Sequence, residues 1–171
     1  SDALIIDATN AKALEWWTNN LKKLTSLGID RLKFVAGETS YLPRNPILIG
    51  PVEYQPGIYT KSYVTGLAEI FNNSIEIRTG WDSQEVPVFV SMMEKDSKYT
   101  WNNGLPTLIT TLLQMNLAGY AYLLPDVIGG NNYCQDGTAC VSKDLFIRWL
   151  QATTFMPALK FSIPPWDYDN E

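Results

Sequence analysis

The sequence places charged and aromatic side chains directly after its predicted strands, where α/β proteins bind their ligands. These residues comprise carboxylates, one arginine and one tryptophan: Glu38, Arg78, Asp82, Asp96, Asp126, Trp166 and Asp167. Carboxylates accept hydrogen bonds from sugar hydroxyls, and an aromatic ring can cover the apolar face of a sugar. Each residue alone is ordinary, because acidic residues are frequent in turns and caps. Their joint placement predicts a site for a neutral, polyhydroxylated ligand.

The missing residue types exclude several kinds of chemistry. The chain of 171 residues has no histidine and only two cysteines. Ser-His-Asp and Cys-His nucleophile systems, histidine-ligated zinc and four-cysteine zinc sites are therefore excluded. Neither a GxGxxG nor a P-loop pattern is present, so no nucleotide site is indicated. The formal net charge of −5 makes nucleic acid a poor electrostatic match, and none is expected as a partner.

Alternating helices and strands must position these residues. Helices are predicted over about 10–27, 62–72, 106–117 and 143–152, and strands over 32–35, 75–78, 86–90, 120–124 and 159–163. Thr9 or Asn10 can cap the first helix, Pro106 suits the first turn of the third, and Ser142 can cap the fourth. The proline-rich segment 43–56 is predicted to be a loop.

This alternation predicts an α/β fold with a parallel sheet. Two architectures fit it: a five-stranded doubly wound sheet, or a contiguous part of a (β/α)₈ barrel, which normally needs about 250 residues. Periodicity alone does not choose between them.

Four segments resemble glycoside hydrolase family 31. Residues 28–38, GIDRLKFVAGE, resemble the nucleophile strand of that family, and Asp96 followed by Trp101 resembles its acid/base segment. Residues 123–131, LLPDVIGGN, resemble its Asp-Ile-Gly-Gly turn, and residues 148–157 resemble its closing helix. AGETSYLP at 36–43 and FSIPPW at 161–166 resemble the myogenesis-regulating glycosidase branch rather than the general α-glucosidases. The resemblance covers nearly the whole chain.

The resemblance implies a retaining α-glycosidase on a (β/α)₈ TIM barrel, with residues 1–171 forming its C-terminal part, about strands 4 to 8. Such an enzyme uses two carboxyl groups about 5–5.5 Å apart. Asp96 would be the acid/base, and the substrate-binding residues would be Glu38, Arg78, Asp126 and Trp166. No cofactor and no metal are implied. The remaining barrel strands and β domains are expected in another chain or in residues outside this sequence.

The sequence departs from the family at the nucleophile. Val35 stands where the family has Asp, and its isopropyl group cannot form a glycosyl ester. Glu38 lies three residues further on, but the family already has an acidic residue there, so Glu38 is expected to keep that residue's role. Ser162 stands where general members carry a sugar-binding histidine, which favours a galactose-like over a glucose-like ligand.

Three functions follow from these features. The first is a catalytically impaired or inactive homologue, a pseudoenzyme that binds a glycan or a protein. The second is an active α-glycosidase, α-galactosidase-like, with Asp96 as acid/base and an unrecognised nucleophile. The third is a structural subunit with a vestigial site. The expected partners are a carbohydrate of α-galactoside or α-glucoside type, the rest of the barrel and, as one option, a second copy of the chain.

Two features favour the secretory pathway, either the ER lumen or the extracellular space. Cys134 and Cys140 bracket a short polar loop and are expected to form a local disulfide, which needs an oxidising compartment. Asn72-Asn73-Ser74 is a glycosylation sequon, although sequons are common by chance.

Overall fold

The computed structural model describes residues 4–131 and 141–169. Among these residues, four α-helices and four short strands alternate, except that the third strand follows the second with no helix between them. The helices are α1 (Ala11–Thr25), α2 (Gly57–Ile70), α3 (Leu105–Leu117) and α4 (Lys143–Thr153), and the strands are β1 (Leu32–Phe34), β2 (Ile75–Ile77), β3 (Phe89–Ser91) and β4 (Leu123–Leu124). The chain divides into two compact units, one ending at Val90 and the other beginning at Ser91.

The strands form one sheet in the order β1-β2-β3-β4, which is also their order along the chain. β1 and β2 are parallel, with Phe34 opposite Ile77, and β2 and β3 are parallel, with Ile77 opposite Val90. A doubly wound sheet reverses its strand order at a switch point, whereas a barrel adds each strand beside the previous one. The order therefore fits part of a (β/α)₈ barrel and not the doubly wound alternative.

Each unit has its own apolar core beneath the strands. In the first unit, helix α2 contributes Val64 and Leu67, which are fully buried together with Ile77 of β2. In the second unit, Leu108 of α3, Leu123 of β4 and Trp149 of α4 are fully buried or nearly so. These cores hold the strand ends, and the loops that follow them, in place.

The helix signals in the sequence are largely confirmed. Asn10 caps α1, and its side-chain oxygen accepts hydrogen bonds from the backbone N–H groups of Lys12 and Ala13. Pro106 lies in the first turn of α3, and Ser142 caps α4 by accepting from the N–H of Leu145 at 3.2 Å. Helix α2, however, begins at Gly57, five residues before the predicted position, because the buried side chains of Tyr59 and Thr60 extend its inward face.

The predicted strand over 159–163 is wrong. Only an isolated parallel bridge between Ile128 and Phe161 forms there, with the N–H of Ile128 donating to the carbonyl oxygen of Lys160 at 2.8 Å. Leu159 and Phe161 are both about half exposed, so little apolar burial stabilises a longer strand. The predicted strand 86–90 shifts to Phe89–Ser91, since Pro87 has no N–H to donate to a ladder.

No helix among residues 4–131 and 141–169 is long and apolar enough to cross a membrane.

Candidate active site

The first part of the site is the turn that follows β1. Val35 comes directly after the strand, and its side chain is 52% exposed. The hydroxyl of Tyr63 donates to the carbonyl oxygen of Val35 at 3.0 Å, and the hydroxyl of Thr60 donates to that of Gly37 at 2.7 Å. Burial, reinforced by Tyr59 and Glu38, raises the pKa of Tyr63, so its hydroxyl stays protonated and remains a donor. Helix α2 thus fixes the backbone on which Val35 is presented.

Gly37 is needed for this turn. Its φ is +92°, a conformation that favours glycine. A Cβ at this position would also lie 2.6 Å from the ring of Tyr63. The turn therefore depends on a residue without a side chain, two positions after Val35.

Glu38 and Arg78 come from the ends of two neighbouring strands and are brought together. Nε of Arg78 donates to Oε1 of Glu38 at 2.9 Å, and Nη2 of Arg78 donates to the hydroxyl of Tyr41 at 2.9 Å. The side chains of Glu38 and Arg78 are only 19% and 11% exposed. Oε2 of Glu38 is buried and has no hydrogen-bond partner within the described part of the chain. Arg78 therefore holds Oε1 of Glu38, and Oε2 of Glu38 can still accept a hydrogen bond.

A small cavity of about 180 Å³ lies beside Val35. Its lining is mainly aromatic and aliphatic: Ile5, Ile6, Trp17, Val35, Ala36, Gly37, Tyr41, Tyr59 and Tyr63. Trp17 stacks on Tyr63 with ring centroids 5.9 Å apart. Tyr59 and Tyr63 were not among the residues predicted from the sequence, although their i, i+4 spacing places them on one face of a helix.

Asp96 lies in the second unit, in the loop after β3. Its Oδ1 accepts a hydrogen bond from the side-chain amide of Asn103 at 3.2 Å, and its backbone N–H donates to the carbonyl oxygen of Asn103 at 2.7 Å. Nζ of Lys98 lies 3.6 Å from Oδ2. The Asp96 side chain is 43% exposed, so solvent or a ligand can reach it while one of its oxygens is held by the protein.

Asp126 follows β4 and is buried. Its Oδ2 accepts from the backbone N–H of Lys95 at 2.6 Å, directly before Asp96 in the chain. Lys95 is itself buried, and its Nζ donates to the hydroxyl of Thr111 on α3 at 2.9 Å. Burial lowers the pKa of Lys95, and the nearby charge of Asp126 opposes that shift. Asp126 therefore acts on the backbone beside Asp96.

The remaining predicted residues lie apart from these contacts. Asp82 forms an exposed ion pair with Lys61. Trp166 lies in the 3₁₀ turn Pro165–Asp167 and is 74% exposed. Asn72 is exposed after α2, with a φ of +51°. Cys134 and Cys140 fall outside the described residues.

Comparison with known proteins agrees with this architecture. The profile of the glycosyl hydrolases family 31 TIM-barrel domain matches residues 1–163. The chain is 38% identical over 174 aligned residues to the mouse (Mus musculus) protein named myogenesis-regulating glycosidase, covering 98% of this chain and 24% of that protein. It is 39% identical over 100 residues to SITS-binding protein from Tetronarce californica, covering 58% of this chain and 14% of that protein.

The chain thus spans about a quarter of the length of the mouse relative. The family profile covers nearly all of the 171 residues of this chain. The parallel strands in chain order and the loops after their carboxyl ends agree with that profile. This protein belongs to glycosyl hydrolase family 31, and its chain forms part of the TIM-barrel domain of that family.

Proposed function

We propose that this protein is a catalytically impaired or inactive member of the family, a pseudoenzyme that binds a glycan or a protein ligand at a glycosidase site without a nucleophile. The observation that carries this proposal is Val35, which is exposed directly after β1, at the position that the motif resemblance assigns to the family's nucleophile. Val35 offers no lone pair to an anomeric carbon.

The chemistry of retention explains the consequence. A nucleophilic carboxylate attacks the anomeric carbon while the acid/base residue protonates the leaving oxygen, which gives a glycosyl ester. The acid/base residue then activates the water that hydrolyses this ester. We propose Asp96 as that acid/base. Without a carboxylate at residue 35, the ester does not form, although a proton donor for the leaving oxygen is still present.

Support for a retained ligand site comes from the backbone around Val35. Tyr63, Thr60 and Gly37 still hold the turn through hydrogen bonds and close packing. The change at residue 35 therefore lies in one side chain on an ordered turn.

The sugar would be held by polar and aromatic groups together. Glu38 and Arg78 form a rigid pair, and the aromatic cavity beside Val35 suits the apolar face of a sugar ring. We propose that Asp126 shapes the subsite through the backbone of Lys95, and that Trp166 supplies an aromatic wall. With Ser162 at the position of the family's histidine, an α-galactoside is favoured over an α-glucoside.

The alternative, an active α-glycosidase, needs a substitute nucleophile, and Glu38 is the nearest carboxylate in sequence. The structure argues against it, since Oε1 is held by Arg78 and Oε2 is buried. If the native protein does hydrolyse α-galactosides, Glu38→Gln tests this alternative. An unchanged rate would exclude Glu38 as the nucleophile, whereas a lost rate would fit either a nucleophile or the loss of its ion pair with Arg78.

We propose that the rest of the barrel completes the site, either as another chain or as further residues. A (β/α)₈ barrel has eight strands, and the described residues form four. We also propose a location in the secretory pathway, because the exposed position of Asn72 leaves its sequon accessible for glycosylation. The disulfide between Cys134 and Cys140 remains part of that proposal.

Restoring the nucleophile tests the proposal. We expect Val35→Asp in the intact protein to hydrolyse an aryl α-galactoside measurably, whereas native protein and Val35→Asn do not. Asn matches Asp in shape but offers no carboxylate, so it controls for packing. In another hydrolase class, removing the nucleophile costs on the order of 10⁶-fold in turnover, so even slight recovery is measurable. A folded but inert Val35→Asp would show that the site has lost more than its nucleophile.

A further inference from the structure

Asn103 makes three hydrogen bonds around Asp96. Its side-chain amide donates to Oδ1 of Asp96 at 3.2 Å and to the carbonyl oxygen of Glu94 at 3.1 Å. Its own carbonyl oxygen accepts from the backbone N–H of Asp96 at 2.7 Å. A side-chain amide has two N–H donors, so this geometry gives each of them an acceptor. One residue therefore holds both the backbone and the carboxylate of Asp96.

The loop between Asp96 and Asn103 explains how Asn103 reaches this position. The N–H of Gly104 donates to the carbonyl oxygen of Thr100 at 3.0 Å, and the N–H of Leu105 donates to that of Lys98 at 2.8 Å. Asn103 has a φ of +60°, a conformation that Asn tolerates better than most residues. The loop thus returns the chain to Asp96 and leads directly into α3.

The chain beside Asp96 is also held from the turn after β4. Oδ2 of Asp126 accepts from the N–H of Lys95 at 2.6 Å, and the N–H of Asn131 donates to the carbonyl oxygen of Lys95 at 2.8 Å. Gly130 has a φ of +77°, and a Cβ there would lie 2.8 Å from that same oxygen. The backbone N–H and the carbonyl oxygen of Lys95 are therefore both hydrogen-bonded, which holds the chain directly before Asp96. These contacts do not orient the Asp96 side chain, and Asn103 supplies a contact that does.

We propose that Asn103 is a positioning residue. It fixes the rotamer of the Asp96 side chain and occupies Oδ1 of Asp96 with a hydrogen bond. Oδ2, which the exposed Nζ of Lys98 approaches to 3.6 Å, is then the oxygen left to exchange a proton with a leaving group once a nucleophile is restored at residue 35, a consequence that rests on the proposed role of Asp96 as acid/base. A general acid works only when its proton lies within hydrogen-bond reach of the leaving oxygen, so a freely rotating carboxylate is a poorer acid.

The first test needs no enzymatic activity. Crystal structures of the intact protein are compared for Asn103→Asp, which replaces the amide donor by an acceptor, and Asn103→Gly, which removes it while tolerating the positive φ. Asn102→Asp makes the same charge change at an exposed neighbouring position outside these contacts. We expect Asp96 to adopt another or several rotamers in both Asn103 variants and to keep one rotamer in Asn102→Asp. An unchanged single rotamer in both Asn103 variants would overturn the proposal.

The second test asks whether the positioning serves proton transfer. In Val35→Asp protein, Asn103→Gly should lower kcat/KM for an alkyl glycoside at least about ten-fold more than for a dinitrophenyl glycoside, whose leaving group needs no proton. Equal losses for both substrates would indicate a structural role only and would contradict the catalytic part. If Val35→Asp is inert while Asp96 moves in the Asn103 variants, the site has lost more than its nucleophile and the proposed acid/base role of Asp96 fails, whereas the positioning role of Asn103 stands.

Discussion

At the scale of single residues, Glu38 and Arg78 form a mostly buried ion pair between two strand ends. Removing one member of such a pair leaves the other charged, desolvated and without compensation. Lys61 and Asp82 form an ion pair of the same charge type on the surface, where solvent screens the charges. The two pairs should therefore respond very differently to loss of the cation.

Arg78→Ala should reduce the free energy of unfolding by about 3 kcal/mol. The matched change Lys61→Ala should cost less than about 1 kcal/mol. Denaturant midpoints of the intact protein, followed by a signal from this domain, give both values. Adding Glu38→Gln should recover part of the loss, because it removes the stranded charge. Similar small losses for both single variants would show that Glu38 is not held by Arg78 in solution.

At the scale of elements, the loop before α3 is closed by backbone packing around Gly104. A Cβ there would lie 2.5 Å from the carbonyl oxygens of both Lys98 and Thr100. Backbone atoms cannot move aside as a side chain can, so the loop must open if residue 104 carries a side chain. This loop carries Asn103, so its shape determines the surroundings of Asp96.

Gly104→Ala should therefore destabilise the protein by about 2 kcal/mol, as overpacking does. Gly66→Ala in α2 is the comparison, since its Cβ would meet the Cδ2 atom of the buried Leu14 side chain rather than backbone oxygens, and alanine favours a helix by up to about 1 kcal/mol. Melting temperatures of the two variants give the comparison. A Gly104→Ala protein as stable as Gly66→Ala would mean that the loop is not packed as described.

The helices were the elements that sequence predicted best, because their signals are local. The Asn10 cap, Pro106 in the first turn of α3 and the Ser142 cap each act within four residues. The strands depend on partners elsewhere in the chain. The segment 159–163 has the composition of a strand, but in the structure it forms only one bridge, to Ile128.

In the candidate site, too, the residues recognised from local sequence motifs were predicted, and those that act through contacts between distant residues were not. Motif resemblance identified Glu38, Arg78 and Asp96, and the structure pairs the first two. It did not identify Asn103 or Tyr63, because both act on the site through contacts that depend on how the chain folds back. The position of Asp82 after a strand likewise did not reveal that it pairs with Lys61 on helix α2.

At the scale of the whole molecule, the chain divides into two compact units, and each of them carries some of the candidate residues. The first holds Val35, Glu38 and Arg78, and the second holds Asp96 and Asp126. A net charge of −5 suits a neutral sugar better than a polyanion.

The proposed function requires that the sugar site survives the loss of its nucleophile. Calorimetric titration of the intact native protein with a galactose-configured iminosugar, and then with the glucose-configured one, tests it most directly, because such ligands mimic the cationic transition state. We predict micromolar or tighter binding of the galactose-configured ligand, weakened by Asp96→Asn and unaffected by Asp82→Asn. No heat with either ligand, for protein shown to be folded, would contradict the claim and leave the site vestigial.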